Sequence, residues 1–157
     1  MPRLPILVPK NGSTTIAKSL GLNHKHEYSK TIREKHPGVQ LGATIRNPED
    51  RLLSAWNHIF NNSEIEDWSD LFQKAFSEQK LRTTVWDTQK SWVDEDTELF
   101  LFEGLPILRW LGYSSKPPVW NEGKKQYPLD KLKEYPEWGE LLSFYEEDWE
   151  LYKKLKG

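Results

Sequence analysis

The chain of 157 residues contains no cysteine. That absence excludes disulfides, a thiolate nucleophile and a cysteine-ligated zinc site. Long apolar runs are missing too. None approaches the ~20 residues a helix needs to cross a bilayer, so no membrane span is expected. The first residues lack the apolar core of a secretory signal, and a soluble, cytoplasmic protein is the expectation. Charge of one sign is scarce: 22 Lys and Arg against 24 Asp and Glu leave a net charge of −2. Proteins that grip duplex nucleic acid carry a basic excess, so no nucleic-acid partner is expected. The Walker pattern GxxxxGK[ST] and recognisable metal-ligand spacings are also absent.

What is present suits one globular domain over residues 1–157. Hydrophobic residues make up 36% and charged residues 29%, enough apolar material for a core and too little charge for a disordered chain. Eight Trp, six Tyr and six Phe are many for this length. Some must fill the core, and a surplus suits stacking on flat or ring-shaped ligands.

Residues 3–8 form an apolar run that reads as a buried strand. Ser13 to Leu20 follows as a helix, with Ile16 and Leu20 four apart and Gly21 as its stop. Leu22 to Glu27 is a loop or short strand, and Tyr28 to His36 a polar helix halted by Pro37-Gly38. Val39 to Ile45 is nearly all apolar and reads as an interior parallel strand. Asn47 is a good N-cap, Pro48 fits the first helical position, and Glu49 and Asp50 complement the dipole of the next helix. Leu52, Leu53, Trp56, Ile59 and Phe60 mark its buried face, while Arg51, Ser54 and His58 share another. An amphipathic helix is expected over Asp67–Ser77, a third strand over Leu99–Phe102, a short helix over Leu105–Leu111 and a final helix from about Pro136. Strands alternating with helices indicate an α/β fold with a mainly parallel sheet. Ligands of such sheets bind outside the carboxyl ends of the strands.

Two strand ends carry the chemistry. The first is "PKNGSTT". Gly12 lets backbone N–H groups approach an anion. Ser13, Thr14 and Thr15 offer hydroxyls at a helix mouth, where the dipole favours negative charge, and Lys10 adds a mobile cation. The second is "RNPEDRLLS", in which Arg46 at a strand end and Ser54 in the following helix can hold one phosphate from two sides. If the two strands are neighbours, Lys10 and Arg46 converge on one crevice.

These two stretches resemble known motifs. "PKNGSTT" is similar to the 5′-phosphosulfate loop of sulfotransferases, and "RNPEDRLLSAW" to their 3′-phosphate motif. "DTELFLFEGL" and "FYEEDWELY" resemble a later strand and the closing helix of the carbohydrate-type branch, related to the Golgi and heparan-type enzymes. The resemblance implies a P-loop-like three-layer α/β fold, with a small, mainly parallel sheet flanked by helices. It implies transfer of a sulfuryl group from 3′-phosphoadenosine 5′-phosphosulfate (PAPS) to an acceptor hydroxyl, leaving 3′,5′-adenosine bisphosphate. By that likeness Lys10, Asn11, Gly12, Ser13, Thr14 and Thr15 hold the 5′ end of the donor, Arg46 and Ser54 its 3′-phosphate, and Lys124 and Lys125 belong to a basic loop that closes over it. Lys10 would also stabilise the leaving oxygen. The base, His or Glu in related enzymes, falls between the two motifs, where "HKHEY" stands. His26 is the first choice, with His24 and Glu27 behind it. Gln89 in "VWDTQKSW" matches a glutamine found near donor and acceptor, although Val85 stands where a histidine is usual. Trp86, Trp92 and Trp120 are candidates to stack on a sugar, and the expected partner is a small-molecule or glycan acceptor.

Two other readings stay open. One is a nucleotide phosphotransferase of the wider P-loop class, which expects a Walker lysine and a magnesium-holding carboxylate. The other is a module that binds an adenosine nucleotide or a glycan without catalysis.

Overall fold

The structure, a computed structural model, describes residues 2–61, 87–114, 133–134 and 138–157. The expected helix over Asp67–Ser77, Trp86, Trp120 and the pair Lys124-Lys125 lie outside these residues.

Three strands form one parallel sheet in the order β1-β2-β3: β1 is Arg3–Ile6, β2 is Gln40–Ile45 and β3 is Glu98–Leu101. Leu4 pairs with Leu41, Ile6 with Ala43, and Ala43 in turn with Leu99. The most deeply buried strand, β2, is the central one, as a strand covered on both faces should be. The first strand is shorter than its apolar run, because Leu7 and Val8 leave the ladder while staying buried.

Helices flank the sheet. After β1 come α1 (Ser13–Leu20) and α2 (Ser29–Lys35), and after β2 comes α3 (Pro48–Asn61). A single turn, α4 (Gln89–Trp92), precedes β3, and another, α5 (Ile107–Trp110), follows it. On one face Ile6, Leu41 and Ala43 pack with Ile32 of α2 and Trp92 of α4. On the other, Ile16 and Ala17 of α1 pack with Ile107 and Leu108 of α5. Gly42 belongs to this second face and has no room for a side chain. A Cβ there would lie 2.7 Å from the Trp110 ring and 3.2 Å from that of Phe100.

Turn chemistry sets the element boundaries. Gly21 closes α1 in the left-handed region at φ 65° and donates to the carbonyls of Ala17 and Lys18. Asn47 caps α3, its Oδ1 accepting from the amides of Glu49 (2.9 Å) and Asp50 (3.3 Å). The single final helix expected from about Pro136 is instead two: α6 (Trp138–Phe144) and α7 (Glu146–Lys156), broken at Tyr145 with φ −102° and ψ 17°. Glu146, Glu147 and Asp148 fill the first turn of α7, the acidic composition that favours a new helix start. Among the described residues no helix is long and apolar enough to cross a membrane.

Candidate functional site: a paired-cation crevice

Because β1 and β2 are neighbours and parallel, the loops that leave their carboxyl ends lie side by side. The Arg46 guanidinium reaches across and donates from Nη1 to the carbonyl of Lys10 at 2.9 Å. Lys10 itself has φ 64°, left-handed geometry that costs a residue with a Cβ about 1–2 kcal/mol. Backbone strain of this kind gathers where a turn is over-determined by its surroundings. Gly12 also has positive φ, at 78°, and a Cβ there would meet Leu105 at 3.0 Å and Phe102 at 3.4 Å. The loop is therefore pressed against the β3–α5 connection, and α1 begins at Ser13 without a side-chain cap. Its first amides have no intrahelical partners, as at any helix start.

The two cations act on each other. Burial pulls the Lys10 ammonium below the usual lysine range, and Arg46 nearby adds to the fall. Burial likewise lowers Arg46, partly offset by Asp50 and Glu103. The guanidinium lies over the Phe102 ring at 4.3 Å, and its buried Nε has no hydrogen-bond partner. Among the described residues the Lys10 ammonium has no ion-pair partner. Two crowded cations with no ion-pair partner for the Lys10 ammonium among the described residues concentrate positive charge here, in a chain whose net charge is −2.

Three histidines border this crevice. His58 of α3 is lowered by burial and then by Lys10, so it faces the same charge. His24 Nε2 lies 2.9 Å from Ser13 Oγ, and the imidazole is lowered by burial and then by the nearby His26, Lys10 and Lys18. The His26 ring meets that of His24 edge-on at 5.0 Å. His26 Nδ1 is 2.5 Å from the Leu7 carbonyl. A carbonyl only accepts, so Nδ1 carries the hydrogen, and in the neutral ring Nε2 presents its lone pair. Glu27 is engaged by a residue of α2. Its carboxylate pairs with Lys35 at 2.5 Å, and that bond holds it below the usual carboxylate range.

Other residues of the two motifs hold the frame. Asn11 is turned inward, 1% exposed, and its Nδ2 donates to the Thr44 carbonyl (2.7 Å) and to Gln89 Oε1 (2.5 Å). Its amide nitrogen is thus committed inside the protein, while its buried Oδ1 has no hydrogen-bond partner. Arg51, 3% exposed, donates to the carbonyls of Pro9 (3.0 Å) and Asp87 (2.9 Å), tying α3 to the lysine loop. Thr14, Thr15 and Ser54 are half-buried, and Ser54 stands one turn beyond Arg51 on α3. Trp92 is fully buried, stacked on Tyr28 at 4.0 Å, and belongs to the core.

Gln89 is likewise fully buried, and its side chain bonds both loops. Asp148 of α7 has 0% exposure and accepts from the Gln89 amide at 2.7 Å and the Lys90 amide at 2.9 Å. Burial pushes its carboxyl above the usual range, against the pull of those two amides. Sequence spacing gives no sign of this carboxylate's role.

Beside the crevice, Glu103, Leu105, Leu108, Arg109 and Tyr113 line a cavity of about 260 Å³. Leu105 belongs both to this wall and to the contact with Gly12.

Comparison of the chain with protein families, with characterised proteins and with solved structures finds no match in any of the three.

Proposed function

We propose that the protein is a PAPS-dependent sulfotransferase, a compact member of the P-loop-like, three-layer class. The reading rests on one observation above the rest: Lys10 and Arg46, each in the loop that leaves a strand, meet through a 2.9 Å hydrogen bond from the Arg46 guanidinium to the Lys10 carbonyl, beside adjacent carboxyl ends of a parallel sheet. A donor with phosphate groups at both its 5′ and 3′ positions calls for two separate cationic loops. The residues suit it, since the Lys10 ammonium has no ion-pair partner among the described residues and the Arg46 guanidinium, beyond its Nη1 bond to the Lys10 carbonyl, forms no ion pair among them.

In this reading PAPS supplies the activated sulfuryl group. Lys10, with Gly12 and the start of α1, neutralises the 5′-phosphosulfate. Arg46, with Ser54, binds the 3′-phosphate. His26 Nε2 takes the proton of the acceptor hydroxyl as its oxygen attacks sulfur. The bond from sulfur to the bridging oxygen breaks, and that electron pair leaves on the 5′-phosphate of 3′,5′-adenosine bisphosphate. Charge moves toward the leaving phosphate, where Lys10 stands, so stabilisation grows along the reaction. A sugar hydroxyl is the acceptor the aromatic content suits best.

Calorimetry with 3′,5′-adenosine bisphosphate tests the reading. The wild-type protein is expected to bind it well and AMP poorly. Equal binding of the two nucleotides removes the 3′-phosphate assignment. Magnesium-dependent ATP turnover points instead to a phosphotransferase.

A further inference from the structure

We propose that Gln89 is a positioning residue that sets the spacing of the two cation-bearing loops. Its amide oxygen accepts from Asn11 Nδ2 in the lysine loop at 2.5 Å and from the Arg46 backbone amide at 2.8 Å. Its amide nitrogen donates to the Arg46 carbonyl at 2.8 Å. One side chain thus clasps Arg46 through both backbone groups and reaches the residue after Lys10. Its own backbone is held from behind by the Asp148 carboxylate. Gln89, Asn11 and Asp148 are buried and Arg46 is half-buried, so solvent competes little for the bonds, and loss of the amide strands their partners.

Only a primary amide of this length does the work. A carboxylate accepts from Asn11 and Arg46 but has nothing to donate to the Arg46 carbonyl. A leucine fills the volume and makes none of the bonds. Since Gln89 is buried and its polar atoms are spent on the loops, it acts on a ligand through Lys10 and Arg46. A displacement of ~1 Å in a binding constellation is enough to change its performance by about a hundredfold.

The choice of nucleotide probes rests on the function proposed above, so a second probe is independent of it. Inorganic pyrophosphate reads the paired cations without any nucleoside. In Gln89→Leu the affinity for pyrophosphate is expected to fall at least about tenfold, and the preference for 3′,5′-adenosine bisphosphate over AMP to collapse by a similar factor. Gln89→Glu, the milder change, is expected to fall between. Ile32→Ala, which opens the core on α2 and removes none of these bonds, serves as the destabilised control: its melting temperature falls while both readouts stay within about twofold. If Gln89→Leu does not fold, Gln89→Glu against the same control decides the point. A Gln89 variant that melts early yet keeps wild-type pyrophosphate affinity overturns the proposal. So does a wild-type protein that fails to bind pyrophosphate. A wild type that binds pyrophosphate but shows no preference between the nucleotides overturns the sulfotransferase reading alone.

Discussion

Arg46 Nη1 donates to the Lys10 carbonyl at 2.9 Å, so the guanidinium that would bind an anion also locks the loop carrying the second cation. Removing it has two effects. Arg46→Ala deletes a charge-assisted phosphate contact worth about 1.5–3 kcal/mol, and it frees the Lys10 turn. The expected outcome in calorimetry is a loss of about ten- to a hundredfold in affinity for 3′,5′-adenosine bisphosphate, with a much smaller change for AMP. Arg46→Lys restores the charge but not the planar fork, and should recover only part of the loss.

Lys10 and His26 are predicted to act on the rate. Lys10→Ala should slow transfer from labelled PAPS more than it weakens donor binding, because its charge is needed most as the leaving oxygen forms. For His26 the informative change is His26→Asn. An asparagine amide still has a donor for the Leu7 carbonyl, where Nδ1 now sits at 2.5 Å, but it has no basic lone pair. Loss of a general base costs about 10²–10⁴ in kcat. Steady-state transfer by His26→Asn at the wild-type rate would move the base to another residue.

Much of the fold is readable from local chemistry. Gly12 and Gly21 bracket α1, Asn47-Pro48 opens α3, and the apolar run of β2 announces an interior strand. Each is a signal spanning a few residues. The adjacency of β1 and β2 is not written locally, because parallel pairing joins Leu4 to Leu41 across a whole crossover. Sequence therefore shows two cations at two strand ends and leaves their meeting conditional. The break at Tyr145 is hidden for a different reason: Trp138, Tyr145, Trp149 and Tyr152 keep a helical spacing through it. The frame of the site is the least legible part. Gln89 and Asp148 are 59 positions apart, and neither has a pattern that predicts burial, since buried polar groups are specified by partners and not by periodicity.

Gly42 gives a prediction about packing. Its missing side chain admits the Trp110 ring, which also lies under the Arg3 guanidinium at 4.9 Å. Gly42→Ala forces a methyl into a 2.7 Å approach, so either the indole or the central strand must shift. Overpacking of this kind costs about 1–3 kcal/mol, which appears as a drop of several degrees in Tm. Shrinking the ring relieves the clash. In a Trp110→Leu background the same Gly42→Ala change should cost clearly less, and equal costs in the two backgrounds would show that the strain lies elsewhere.

Acid should weaken one tether that stands apart from the crevice. Arg33 of α2 holds Asp94 with two bonds, Nε to Oδ2 at 2.6 Å and Nη2 to Oδ1 at 2.8 Å, and the Thr97 hydroxyl adds a third at 2.8 Å. The pair joins α2 to the turn that starts β3. The guanidinium, ahead of the Thr97 hydroxyl, pulls the Asp94 carboxyl down from 3.8 to about 2. A carboxylate depressed in the folded state contributes stability above its unfolded pKa and loses it as the pH falls toward the folded value. The contribution is therefore complete at neutral pH, shrinks below pH 3.8 and is mostly gone near pH 2. Both side chains are about a third exposed, at 32% and 34%, so solvent screening limits the pair to about 1 kcal/mol. Thermal melts of wild type and Asp94→Asn should differ by a few degrees at pH 7 and converge as the pH approaches 2, whereas a gap that persists at low pH would mean the asparagine acts through packing and not through the lost charge.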